Sequence, residues 1–246
     1  MDFDIFFEIH KDIPREGSGR DEYTQKAFEM IPPIKKPNIL DIGCGPGLQT
    51  IKLAKLSDGI VTGIDIHQPY IDKLKKMAKK ENLENKIRAI NQSMFEIDFP
   101  DEYFDIIWAE GSIFLIGFER GLLEWKKYIK PNGYLAVHEM IWLKENPPKE
   151  IKKYFDQVYP AIGTIENNLR IIENCGYKVI GDFPLPDDAW WEFYYDPLEK
   201  RLEKLREKFK DNTKALEMIC EEQKEIDMYR KYYHWYGSVF FVMQRK

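Results

Sequence analysis

Three glycines at alternate positions, Gly43, Gly45 and Gly47, follow an apolar run, Asn38-Ile39-Leu40-Asp41-Ile42, and precede Ile51, Leu53, Ala54 and Leu56 at helical spacing. A turn without side-chain bulk between a strand and a helix lets a ligand approach the backbone closely. The free amides of the helix's first turn face the same crevice. Asp65 closes the next apolar run, near the ~20-residue offset at which a carboxylate grips a ribose diol. Such a carboxylate accepts two hydroxyls and repels a 2′-phosphate, so the expected ligand carries an unphosphorylated ribose. The spacing is G-x-G-x-G, whereas a dinucleotide turn is G-x-G-x-x-G and would need glycine where Leu48 stands. Pro46 also removes one amide from any phosphate cradle. Both features favour a nucleoside ligand without phosphates over a nicotinamide dinucleotide, so an NAD-dependent oxidoreductase is the alternative and not the first reading.

Fewer residues offer acid–base chemistry. Glu110 follows one apolar run, and His138 and Glu139 lie along another. A histidine exchanges protons near neutral pH, which makes His138, with Glu110, a weak candidate for a catalytic base; Glu139 has no better claim than a buried ion-pair partner. The remaining histidines, His10, His67 and His234, form no metal-ligand spacing with Cys44, Cys175 and Cys220, so no metal is expected. Cys44, inside the turn, reads as a small packing residue and not as a nucleophile.

These residues need a sheet to hold them. Residues 38–42, 60–65, 86–91, 104–109 and 133–142 read as strands: short, rich in Ile, Val or aromatics, and bounded by Gly, Pro, Asn or Asp. Between them lie helical stripes, Ile71, Leu74, Met77 and Ala78, then Phe118, Leu122, Trp125 and Ile129. Strand–helix alternation implies a parallel sheet covered on both faces. After the turn signal Pro131-Asn132-Gly133 comes a long strand, then a helical region from Pro148 to Cys175, interrupted near Pro160 and stopped at Gly176. Strands at 177–183 and 238–244 are separated by 184–237, far too long for a hairpin loop. Leu198, Leu202, Leu205 and Phe209 give that stretch its own helical stripe.

The segment Leu40-Asp41-Ile42-Gly43-Cys44-Gly45-Pro46-Gly47 resembles the first motif of class I S-adenosylmethionine-dependent methyltransferases. Gly63-Ile64-Asp65 is similar to their ribose-binding acid, and Asn91-Gln92-Ser93-Met94 sits where the family reads adenine. Phe104-Asp105-Ile106-Ile107-Trp108 resembles their fourth strand, and 128–134 the turn into the fifth. Closer still, Trp108-Ala109-Glu110-Gly111-Ser112-Ile113 with Gly117-Phe118-Glu119-Arg120-Gly121, and the N-terminal Arg15-Glu16-Gly17-Ser18-Gly19, resemble a subgroup of uncharacterised small-molecule methyltransferases from bacteria and archaea. The resemblance implies an α/β, Rossmann-like seven-stranded methyltransferase sheet with helices on both faces and a helical insertion before the last strand. It also implies S-adenosylmethionine as cofactor, S-adenosylhomocysteine as its product and a small-molecule methyl acceptor.

Carried over residue by residue, it implies the following roles. The turn of Gly43, Gly45 and Gly47 passes beneath the methionine part, with Asp41 on the ammonium side. Asp65 takes the ribose hydroxyls, Ile66 packs on the adenine, and Ser93 and Met94 border the adenine edge. The backbone at Ala109 and Glu110 completes the methionine pocket. Many relatives carry Asp where Ser93 stands, so Ser93 offers an uncharged oxygen. A non-catalytic S-adenosylmethionine-binding module would share all these residues and is a second alternative.

The 246 residues suit one domain: an N-terminal helical flap (1–33), a core (34–183), a helical cap (184–237) and a last strand (238–246). Lys and Arg number 37 against 42 Asp and Glu, a net charge of −5. That disfavours nucleic acid, whose binding rests on neutralising phosphates. The mixed-sign run 199–208 accordingly reads as a solvated amphipathic helix and not as an RNA-binding patch. No apolar run approaches the ~18 residues of a membrane span, and the acidic start lacks the positive charge of a secretory signal. Three scattered cysteines make no disulfide framework, so a cytoplasmic setting is expected, with the chain a monomer or homodimer. The late aromatic clusters, Trp190 to Tyr195 and Tyr229 to Tyr236, are expected mainly to anchor the cap, with one or two rings reaching the acceptor.

Overall fold

In the computed structural model, which describes residues 2–246, the apolar runs pair into one sheet. Its strands are β1 (Asn38–Ile42), β2 (Ile60–Asp65), β3 (Ile87–Asn91), β4 (Phe104–Glu110), β5 (Ile129–Trp142), β6 (Gly163–Thr164), β7 (Tyr177–Pro184) and β8 (Tyr236–Arg245). Their order is β3-β2-β1-β4-β5-β8-β7, with the short β6 pairing against the end of β5. This is the α/β, Rossmann-like sheet expected from the sequence, with β6 as an addition. Alternate residues along each strand enter opposite cores. Ile39, Ile106 and Trp108 face one, with α3 (Leu48–Leu56) and α4 (Gln68–Lys80) over them. Leu40, Ile107 and Ala109 face the other, under α5 (Phe118–Trp125) and α7 (Ile165–Asn174). Burial of each large apolar side chain contributes roughly 1.5–3 kcal/mol, and strands covered on both faces therefore read as continuous apolar runs.

The structure corrects the reading in four places. β8 runs antiparallel to both β5 and β7, so the sheet is not wholly parallel; its apolar residues are buried on both faces, as in a parallel strand, so composition does not reveal direction. The turn Pro131-Asn132-Gly133 lies inside β5, where Phe104 pairs with Ile129 but Ile106 with Tyr134. Asn132 takes φ 60° there, and a Cβ on Gly133 would lie 2.9 Å from the Asp105 carbonyl. Ile129 therefore opens a strand, and the preceding helix ends at Trp125. Lys86 lies outside β3 and donates to the carbonyls of Ala54 and Ser57 at the end of α3.

Before β1 come α1 (Phe3–Ile9) and α2 (Asp21–Glu29), and after β5 comes α6 (Lys149–Val158). Between β7 and β8 the chain forms α8 (Asp196–Lys208) and α9 (Thr213–Tyr232). Leu198, Leu202 and Leu205 of α8 bury against Ile219 and Ile226 of α9, Ile9 of α1 and Ile151 of α6, a third core that also packs Met140 and Trp142 of β5. The aromatic clusters meet inside it: Trp190 stacks on Tyr195 at 5.1 Å and lies 5.2 Å from Tyr229. They anchor the cap to the carboxyl end of β5.

Candidate functional site

The alternate glycines are all left-handed, with φ 69° at Gly43, 51° at Gly45 and 97° at Gly47, a region that a side chain makes costly. Their surroundings separate their roles. A Cβ on Gly43 would sit 2.6 Å from the Cβ of Ser112, and one on Gly47 2.6 Å from Leu74 Cδ1. These two let the turn pack against α4 and the loop after β4. A Cβ on Gly45 would meet only Glu16, at 3.8 Å, so the bare face of the turn is turned outward, beneath the N-terminal segment.

Asp65 stands beside that face. One carboxylate oxygen accepts from the amide of Gly45 at 3.0 Å, the other from the amide of His67 at 2.9 Å. Burial raises its pKa, and the two amides work against that rise. An ionised carboxylate has about four acceptor positions, so capacity for hydroxyl donors is left on both oxygens. Ile66, next in the chain, is 56% exposed, an apolar surface offered to solvent at the rim. The Asn91 side chain donates to the Ile66 carbonyl at 2.8 Å, which ties the end of β3 to that rim. Ser93 Oγ accepts from the amide of Phe95 at 3.2 Å, and Met94 reaches to 3.6 Å from where a Gly43 Cβ would lie. These residues stand together at the carboxyl ends of β1, β2 and β3.

Asp41 lies below this surface. It is wholly buried, accepts from the Thr50 hydroxyl at 2.5 Å, and is pushed up to about 7 by burial. Cys44 is buried and its thiol pushed well above its ordinary pKa, which leaves it a packing residue. Ala109 is buried at the end of β4. Glu110 follows it with every face engaged: Trp108 Nε1 donates at 2.8 Å, Thr24 Oγ1 at 2.7 Å and Arg15 at 2.9 Å. His138 is buried, with Nε2 3.1 Å from Ser18 Oγ, which lies 2.8 Å from Ser238 Oγ. Burial, with the Arg15 charge, pushes its pKa down to about 3.

Residues 39–133 match a family described as a methyltransferase domain. That match runs from β1 into β5. The chain's architecture is that of a methyltransferase from Geobacter sulfurreducens solved with S-adenosylhomocysteine: TM-score 0.84 at 17% identity over 99% of this chain and 98% of that one. A methyltransferase from Thiobacillus denitrificans, also solved with S-adenosylhomocysteine, gives 0.83 at 17% identity over 98% of each chain. Among curated proteins, a sterol 24-C-methyltransferase of Gibberella zeae is 25% identical over 78% of this chain and 52% of its own length. A 27-O-demethylrifamycin SV methyltransferase of Amycolatopsis mediterranei is 27% identical over 48% of this chain and 44% of its own. The chain thus spans about half the length of the curated relatives it matches.

The glycine turn is roofed by residues whose roles sequence reasoning missed. The side chain of Tyr70 on α4 donates to Glu16, whose Cγ lies 3.8 Å from where a Gly45 Cβ would be. The backbone of Arg15 and Gly19 bonds to the carbonyls of Phe193 and Ala189, joining the roof to the cap. In sequence the segment Arg15–Gly19 stood out for its motif and its glycines, without the partners that the fold gives it. Glu139 departs from its expected role: among the described residues no cation pairs with it, and one of its oxygens is buried without a formed hydrogen bond.

Proposed function

We propose that the chain transfers a methyl group from S-adenosylmethionine to a small-molecule acceptor. The observation that carries this is Gly45, left-handed and bonded through its amide to Asp65, a bare stretch of backbone beside a carboxylate with acceptor capacity for a diol. When bound, the cofactor supplies an activated methyl on a sulfonium, so the protein's share is orientation, electrostatics and exclusion of water. Asp65 receives the ribose hydroxyls, Ile66 covers the adenine, and Ser93 and Met94 border its edge. Gly43, Gly45 and Gly47 admit the methionine part, Asp41 supports the ammonium side from below, and the backbone at Ala109 and Glu110 closes the pocket. Residues 1–33 act as a flap over the 34–183 core, and 184–237 as a cap before the last strand, 238–246. The expected setting is cytoplasmic and the assembly a monomer or homodimer; among the described residues no helix is long and apolar enough to cross a membrane.

Neither Glu110 nor His138, the bases suggested by residue type and position, is free in this arrangement. Glu110 is held by three donors, and a histidine pushed down to about 3 takes up no proton near neutrality. Calorimetry tests the cofactor assignment: S-adenosylhomocysteine binds saturably and Asp65→Ala weakens it by more than about tenfold, a loss of ~1.4 kcal/mol. Incubation with isotopically labelled cofactor and a metabolite extract then yields a mass-shifted product. Binding of NAD without S-adenosylhomocysteine would support the oxidoreductase instead, and tight cofactor binding with no product across a broad acceptor screen the non-catalytic module.

A further inference from the structure

A cavity of about 580 Å³ opens on the α5 and α7 side of the sheet, beside the carboxyl end of β5. It lies at the same end of the strands as the glycine turn: Glu110 pairs with His138 in register, and Glu139 is the next residue. The loop after β4 connects the two places. Its Ser112 Oγ donates to the Ile42 carbonyl at 2.6 Å, at the base of the turn, and its Gly117 lines the cavity. Phe118, Leu123 and Ile171 give the cavity apolar walls. Glu139 lines it too, 3% exposed, with one oxygen accepting from the Met140 amide and Oε2 buried. The Tyr159 hydroxyl of the cavity wall stands beside the carboxylate but short of a formed hydrogen bond to Oε2. A buried polar atom left unpaired is costly, and a ligand N–H would satisfy it.

Resting on the methyltransferase reading above, we propose that this cavity binds the methyl acceptor, and that the acceptor is a small, largely apolar amine whose N–H groups are received by Glu139 Oε2. The charges around the cavity select the sign. Among the described residues that line it, Glu119, Glu124 and Glu139 stand against one cation, Arg120, whose Nε is turned to Glu124 at 2.6 Å. Surplus acid attracts an ammonium and repels carboxylates and phosphates. Burial holds the Glu139 carboxyl up to about 7, moderated by the Met140 amide and the Tyr159 hydroxyl beside it. Once ionised it accepts the N–H groups of the bound amine, and the proton that must leave an ammonium before transfer goes to water, because an alkylammonium is a weaker acid than this carboxyl.

The test uses the full chain and cyclohexylmethylamine, cyclohexylmethanol and cyclohexanecarboxylate as probes, followed in proton–nitrogen correlation spectra. The amine is expected to shift the amides of Gly117, Gly163 and Asn167 saturably, the alcohol more weakly and the carboxylate not at all. Glu139→Gln is expected to weaken the amine by about tenfold or more, with Glu139→Asp retaining part of the affinity. Affinity for the amine should rise from about pH 6 to about pH 8 as Glu139 ionises. Equal binding of amine and carboxylate, unchanged binding in Glu139→Gln, or no saturable shift up to about 10 mM amine, a free energy of roughly 3 kcal/mol, would each overturn the proposal. S-adenosylhomocysteine calorimetry on Glu139→Gln separates the two readings, because it should be unchanged. Failure of the wild-type chain to bind that cofactor would sink the methyltransferase reading and leave the amine result standing on its own.

Discussion

Glu110 shows how a residue legible in sequence can change meaning in the fold. Its place after an apolar run marks it for the site, but Arg15 and Thr24, which bind it, are far away in the chain and share no spacing with it. Arg15 is itself buried, and its other acidic neighbour, Asp21, is 3.7 Å away. Removing one partner of a buried ion pair leaves a charge uncompensated and costs about 3–5 kcal/mol. Glu110→Gln is therefore expected to destabilise the chain by about 3 kcal/mol, and Thr24→Val, which removes one neutral donor, by about 1 kcal/mol. Urea titrations that found the two variants equal would show that Glu110 is not locked. Glu139 carries the opposite lesson: its type suggested an ion pair, and only the fold shows that no cation among the described residues reaches it.

At the scale of elements, most of the sheet was legible because strands buried on both faces are plain apolar runs, and because glycines and Asp65 punctuate their ends. The direction of β8 was not, since a doubly buried strand looks the same either way up. The two-residue β6 is too short to leave a pattern, and the kink in β5 mimics a loop boundary. The glycine turn was legible as a unit but not in its division of labour. Gly47 combines φ 97° with a Cβ position 2.6 Å from Leu74, whereas Gly45 has φ 51° and only Glu16 Cγ at 3.8 Å. Gly47→Ala is expected to lose about 2–3 kcal/mol, from backbone strain together with overpacking. Gly45→Ala should lose only about 1–2 kcal/mol, yet weaken S-adenosylhomocysteine more than any stability loss explains, because its methyl projects into the crevice. Denaturation and calorimetry on both variants check this, and the reverse ranking in stability would refute the assignment of Gly47 as the packing glycine.

Across the whole molecule, one histidine ties the parts together. His10, at the end of α1, lies 2.7 Å from Glu16 in the roof and 3.3 Å from Glu222 on α9 of the cap. Nothing in the sequence relates these three residues; only the folded cap brings them together. Burial alone would push the His10 pKa down, but the two carboxylates outweigh it and hold it up to about 10. A raised folded pKa means that the native state binds the extra proton, so the stabilisation is complete below the ordinary 6.5 and is lost as pH rises through about 10. Other buried groups change stability in different windows. The His138 contribution is lost as pH falls below 6.5, and burial of Asp41 and Glu139 weakens the fold as pH rises from the ordinary carboxylate range to about 7. Comparing the wild type with His10→Gln cancels those contributions and isolates the latch. The expected difference is about 3 kcal/mol near neutrality, shrinking steadily on the alkaline side until it nearly vanishes around pH 10. Because Glu16 also lies beside Gly45, loosening the latch should speed cofactor exchange in the same alkaline window. A stability difference that stays constant between pH 6.5 and 10 would mean that His10 carries no charge in the folded chain.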